Sequence, residues 1–231
     1  MASTARTTIH LMRHGEVHNP EGVLYGRMPG YHLSELGHQM ASQIADVLSS
    51  SGHDLAAVIT SPLERAVETG APTAAAFGLE AQTDVRLIEA DNHFEGVPVN
   101  ANRWVLAHPT YWRYYINPWR PSWGEPYTEL VARMSAVVRE ARSRYEGREV
   151  LLVSHQLPVW ATRLWLEGLP LAHDPRRREC SLASLTSLTF DGATLTGLAY
   201  WEPAGDLLRR AEDMVPGTSA ASEKRPEEAA G

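Results

Sequence analysis

Apolar residues along the chain recur with two alternating periods. Thr8 to Met12 is a short apolar run that stops at Arg13-His14-Gly15, the pattern of a buried strand ending in a turn. Residues 16 to 33 carry Asn19, Pro20, Gly22, Gly26, Pro29 and Gly30, so an irregular loop is expected there. Leu36, Met40, Ile44, Val47 and Leu48 then follow helical spacing over about 17 residues, with Ser34 as the N-cap. Leu55 to Ile59 reads as a second strand and runs into Ser61-Pro62-Leu63-Glu64. That tetrapeptide offers a capping box (Ser61, Glu64) and a proline at the first helical position, opening a helix to Phe77 that stops at Gly78. Val85 to Ile88 is a third strand candidate, with Glu89 at its end. Leu130 to Tyr145 is strongly periodic and ends at Gly147, and Glu149 to Ser154 is the best core strand. It meets His155, and a helix over Val159 to Leu166 follows. Two last strands, Ser184 to Thr189 and Thr194 to Tyr200, flank the turn Asp191-Gly192.

Strands alternating with helices predict an α/β domain, a three-layer α/β/α sandwich around a mostly parallel sheet. Two stretches depart from the alternation. Residues 92 to 126 are dense in aromatics, prolines and arginines, among them Trp104, Tyr111, Trp112, Tyr114, Tyr115, Trp119 and Trp123. They are expected to form a cap inserted over the sheet edge. From Glu212 to Gly231 almost nothing is apolar, so the domain is expected to span residues 1 to 211 and the rest to be a disordered tail.

Composition narrows the functional classes. The chain has 231 residues, 43% hydrophobic and 21% charged, which is ordinary globular usage. A formal net charge of -7 disfavours general affinity for nucleic acid or anionic membranes, so any anion site must be local. The single cysteine, Cys180, rules out a disulfide framework and a multi-cysteine zinc site. A reducing, cytoplasmic setting is the expectation, because the apolar run near the N-terminus is too short for a signal peptide and no segment approaches a membrane span.

Four of the expected strands end beside a chemically capable residue: His14, Ser61 with Arg65 just beyond, Glu89, and His155. Ligands of open α/β sheets bind at the carboxyl ends of strands, so the placement is informative. A rival constellation is a metal site from His10, His14 and His18. Their spacing would align on a helix, but His10 lies in the apolar strand and Gly15 breaks the segment, so no metal site is expected there.

Taken together, Arg13-His14-Gly15, Ser61-Pro62-Leu63-x-Arg65-Ala66-x-x-Thr69, Leu87-x-Glu89 and Val153-Ser154-His155 resemble the histidine phosphatase superfamily, the phosphoglycerate-mutase-like proteins. The resemblance extends from about residue 8 to residue 200 and includes Tyr25-Gly26-Arg27 and Leu33-Ser34-Glu35-x-Gly37. It implies a nucleophilic His14, phosphate-binding roles for Arg13, Arg65 and His155, and a proton donor at Glu89, with Asp91 and Glu95 as nearby alternatives. It implies no cofactor. The chemistry is consistent with that reading: phosphoryl transfer needs positioning and cationic donors around the phosphoryl oxygens, which two arginines and a protonated His155 would supply. A neutral imidazole is a competent nucleophile.

This chain departs from the family's usual residues at Val17, His18 and Asn19, at Gln156, where glycine is usual, and at His93. Asn19, Arg27 and Gln156 are therefore candidate pocket residues. The mutases of the family resemble one another in segments around the acid and the second histidine that are absent here: Ile88-Glu89-Ala90-Asp91-Asn92 and Ser154-His155-Gln156-Leu157-Pro158 stand in those places. Hydrolysis of a small phosphorylated metabolite is the expectation, with a mutase or a phosphate-binding pseudoenzyme as alternatives. The oligomeric state stays open, a homodimer among the options.

Overall fold

A computed structural model describes residues 6–98, 108–109 and 124–213. Six strands form one sheet in the order β3-β2-β4-β1-β5-β6. These are β1 (Arg6–Arg13), β2 (Leu55–Thr60), β3 (Gln82–Thr83), β4 (Glu149–Ser154), β5 (Leu185–Asp191) and β6 (Thr194–Trp201). The pairings of β2 with β3, β2 with β4 and β1 with β4 are parallel; β5 and β6 join antiparallel. The sheet is therefore mixed, and the last hairpin supplies all of its antiparallel pairing.

Among the described residues four α-helices cover it: α1 (Glu35–Ser50), α2 (Glu64–Ala76), α3 (Tyr127–Arg144) and α4 (Gln156–Leu166). Met40, Ile44 and Leu48 of α1 and Ala66 and Ala74 of α2 pack with Met12, Val58, Leu151 and Val153 on one face. Met134, Val137 and Val138 of α3 and Val159 of α4 pack with Ile9, Leu11, Val150 and Leu152 on the other. Strand residues pointing alternately to two buried faces produce the continuous apolar runs and the three-layer sandwich expected from them. Among the described residues, no helix is long and apolar enough to cross a membrane.

Two local expectations are corrected. Val85–Leu87 is a single 3-10 turn rather than a strand, because the Asp84 carboxylate caps it by accepting from Arg86 N and also binds the Arg86 side chain. The edge strand is instead the two-residue β3, which pairs with Ile59 and Thr60. The capping box at Ser61 and Glu64 does not form. Leu63 is the N-cap of α2 and makes no side-chain cap bond, while Ser61 Oγ is 2.8 Å from His155 Nε2 and Glu64 accepts from Gly30 N. Long-range partners outbid the local cap. By contrast Ser34 caps α1 as its sequence predicts, accepting from Gly37 N.

The aromatic residues of the expected cap, Trp104, Tyr111, Trp112, Tyr114, Tyr115, Trp119 and Trp123, lie outside the described residues. The two ends of its segment are joined by a bridge between Asn92 and Gly124. The expected tail lies outside them from residue 214 on. Glu212 and Asp213 are described and fold back onto the sheet edge: Glu212 N donates to Glu16 Oε1 at 2.6 Å, and the Asp213 side chain is fully buried.

Candidate active site

Strand register brings the candidate residues together. Arg13 at the end of β1 is opposite Ser154 at the end of β4, and Thr60 at the end of β2 is opposite Val153. His14, His155 and Ser61, each the next residue, therefore emerge side by side at the carboxyl edge. His14 N donates to Ser154 O at 3.1 Å, and Ser61 N donates to Val153 O at 2.8 Å. The His14 and His155 rings lie 5.2 Å apart, inclined by 61°.

Close backbone packing holds the Arg-His-Gly turn. A Cβ on Gly15 would come within 2.9 Å of Gly37 O, and one on Gly37 within 2.1 Å of Glu16 O. Neither position tolerates a side chain without moving backbone. Thr69 ties the turn to α2: its Oγ1 accepts from Gly15 N at 3.0 Å and donates to Arg65 O at 2.6 Å. The same threonine thus sets both the nucleophile candidate and the helix that carries Arg65. Ala183, at φ 52°, donates its N–H to His14 O, closing the turn from the β5 side.

His14 is buried, and its Nδ1 is 2.7 Å from Gly15 O. A carbonyl oxygen only accepts, so Nδ1 carries the proton and Nε2 keeps its lone pair. Burial, with Arg65 and then Arg13 nearby, holds the imidazole well below its usual pKa. It stays neutral at pH 7. Burial, with Arg65 and His14, likewise holds His155 well below the usual value. A protonated His155 was expected, and in this arrangement it is neutral, because charging it would desolvate a second cation beside a buried guanidinium.

Arg65 is fully buried, its guanidinium 4.7 Å above the Tyr25 ring. One terminal nitrogen donates to Gly26 O at 2.5 Å. Its Nε and Nη1, together with His155 Nδ1, are buried polar atoms with no hydrogen-bond partner. Leaving such donors bare is costly, so they stand ready for an anion. Tyr25 stacks on Tyr31 at 5.0 Å, and burial raises its phenol to about 12.

Arg13 is engaged differently. Both terminal nitrogens reach the Asp213 carboxylate at 2.7 Å, and one also donates to Cys180 O at 2.8 Å. Burial lowers its pKa, but Asp213 outweighs this and the net shift is upward.

Glu89 is half-buried, and its Oε1 accepts from Ala90 N at 2.7 Å. Burial raises its carboxyl above the usual range, against the opposing pull of that bond and of Arg65, Arg178 and Arg133. Its backbone is fastened by arginines: Glu89 O accepts from Arg27 Nε at 2.7 Å and from Arg133 at 3.3 Å, and both arginines also bind Glu125. Of the two alternatives, Asp91 is exposed, and Glu95 accepts from Arg27 N at 2.7 Å. Asn19 closes its own loop, accepting from Val23 N and donating to Val23 O. Gln156 Oε1 accepts from Arg178 at 3.0 Å. His18 is exposed, and His10 turns to a different cluster, with His53 and Glu149.

Tyr25, Arg133, Glu125, Arg178 and Asp213 escaped the sequence reading as site residues. Arg133 did leave a signal, because it falls between Leu130 and Val137 on the apolar stripe of α3, where a cation needs a partner. Asp213 left none.

This edge brings two buried imidazoles and their arginine neighbours together with a carboxyl of raised pKa. The family model "Histidine phosphatase superfamily (branch 1)" matches residues 9–202, and the chain belongs to that superfamily. It is 52% identical over 198 residues to Mycobacterium tuberculosis "Uncharacterized protein Rv0525", covering 86% of this chain and 97% of that one. It is 32% identical over 184 residues to "Probable phosphoglycerate mutase GpmB" of Yersinia enterocolitica, covering 76% and 82%. The solved structure of a mycobacterial glucosyl-3-phosphoglycerate phosphatase is similar with a TM-score of 0.69 and 26% identity, covering 85% of this chain and 98% of that one.

Proposed function

We propose that the protein is a phosphatase that hydrolyses a phosphomonoester of a small metabolite through a phosphohistidine at His14. The observation that carries this reading is the set of buried, unpartnered polar atoms on Arg65 and His155 beside a histidine whose tautomer leaves Nε2 nucleophilic. The phosphatase among the similar structures supports hydrolysis, as does the lack of mutase-like segments after Glu89 and His155.

His14 Nε2 attacks phosphorus as the ester P–O bond breaks. Arg65 and His155 bind the phosphoryl oxygens, and the dianion favours taking up a proton on His155. Glu89 in its acid form, which burial favours, gives its proton to the leaving alkoxide. The resulting carboxylate then takes a proton from water as that water attacks phosphorus, the P–N bond breaks, and phosphate leaves. The residues named need no metal ion for either step. Arg13 acts through its charge on His14, and it reaches phosphate directly when the Asp213 carboxylate gives way.

A second reading, a phosphoglycerate mutase, is favoured by the relative named GpmB. A screen of phosphorylated metabolites for phosphate release, with and without chelator, tests the proposal. Turnover that survives chelation and is abolished in His14→Ala is the expected result. Conversion of 3-phosphoglycerate to 2-phosphoglycerate with little phosphate release would establish the mutase reading, and phosphate binding without turnover would establish a pseudoenzyme.

A further inference from the structure

His10 does not join His14. It lies four residues earlier on β1, about 13 Å along the strand, with its side chain buried. Among the described residues, one group of histidine and carboxylate ligand atoms lies mutually within 4.8 Å: those of His10, His53 and Glu149. Glu149 opens β4 and His53 lies two residues before β2, so the group sits toward the amino ends of the parallel strands, away from the phosphate site.

Two imidazole nitrogens converge on one carboxylate oxygen. His53 Nδ1 is 2.7 Å from Glu149 Oε2, and His10 Nε2 is 3.4 Å from the same atom. In tetrahedral coordination with bonds of 2.0 to 2.1 Å, neighbouring ligand atoms stand about 3.3 Å apart. The first contact needs to open by about 0.6 Å, and the second already has the required spacing.

The surrounding residues orient the ligands. His10 Nδ1 is 2.7 Å from Ser187 Oγ, directly across on β5, and Trp201 Nε1 donates to that oxygen at 3.0 Å. When His10 Nδ1–H donates to Ser187, Nε2 presents its lone pair toward Glu149 and His53. That is the outer-shell arrangement by which proteins set the tautomer of a metal-bound histidine. Trp201 stacks on His53 at 6.0 Å, fixing the second ring. The His53 and Glu149 side chains are 24% and 27% exposed, so an ion has a path in and solvent can supply a fourth ligand.

We propose that His10 Nε2, His53 Nδ1 and Glu149 Oε2 form a binding site for a divalent transition-metal ion, zinc by its donor chemistry, separate from the phosphate site. Two imidazoles and one carboxylate suit zinc and disfavour magnesium or calcium, which take oxygen ligands. A bound ion would pin the 51–54 turn to β1 and β4.

The test uses tag-free protein stripped with chelator and titrated with Co2+ as a spectroscopic probe, then with Zn2+ in competition. One Co2+ per chain is expected, with the visible bands of a four-coordinate nitrogen and oxygen site, displaced by zinc. His53→Ala and Glu149→Gln should each weaken binding at least ~100-fold, and Ser187→Ala about 10-fold or more. His14→Ala should leave it unchanged. His53 is in a partly exposed turn, so its variant keeps the test valid if the others fold poorly. Equal affinity in His53→Ala, binding that disappears with His14→Ala, or no uptake at micromolar metal would each overturn the proposal.

Discussion

The protein keeps histidines in two environments on the same sheet. At the carboxyl edge, His14 and His155 are buried beside Arg65 and Arg13, and among the described residues their rings are hydrogen-bonded to no carboxylate. Toward the amino ends of the strands, His10 and His53 converge on Glu149. One residue type thus serves opposite electrostatics. Cationic neighbours and low dielectric keep the first pair of imidazoles neutral, whereas the second pair faces a carboxylate.

Removing the cation that distinguishes the first environment should have the largest effect. Arg65→Ala is expected to lower kcat/KM about 10^3-fold, since it deletes buried donors to the transferred group. In the same variant the His14 and His155 pKa values should rise toward the ordinary range, as read by NMR titration. Values that stay depressed without Arg65 would erase the contrast.

The pH profile sharpens it. Attack requires neutral His14, so kcat/KM should rise with pH through the depressed His14 pKa. Protonation of the leaving group requires acidic Glu89, so the rate should fall as pH rises through the raised Glu89 pKa. The maximum is expected between the two pKa values. Glu89→Gln should lower kcat about 10^2-fold or more and flatten the alkaline limb. An unchanged limb would move the proton-donor role to another carboxyl.

The smallest effect concerns Arg13. Asp213→Asn should weaken the clamp on its guanidinium and strengthen inhibition by inorganic phosphate a few-fold, with kcat little altered. Weaker phosphate inhibition would instead make Asp213 a support that holds Arg13 in place.

Legibility in the sequence followed the range of the interactions. Glu149–Ser154 was readable to the residue because a strand buried on both faces is a continuous apolar run. The helix after Ser34 was readable because its cap lies within three residues. The 3-10 turn at Val85 was missed, since Asp84 and Arg86 form a cap that apolar periodicity does not reveal. The capping box failed because Ser61 has a partner 94 residues away. At the site, His14, Arg65, Glu89 and His155 each stand beside a recognisable turn or strand end. Glu125, which ties together the arginines on Glu89, and Asp213, the carboxylate on Arg13, do not, because they approach from distant segments.

Local order in the chain was therefore enough for the alternation of strands and helices, for the carboxyl-edge placement of the phosphate-type residues, and for the family resemblance they carry. Periodicity and turn chemistry act over a few residues and leave their mark on the sequence. Which histidines keep company with arginine and which with glutamate was settled by strand register and by the folding back of residue 213. Those contacts join residues up to 200 positions apart, and no local pattern encodes them.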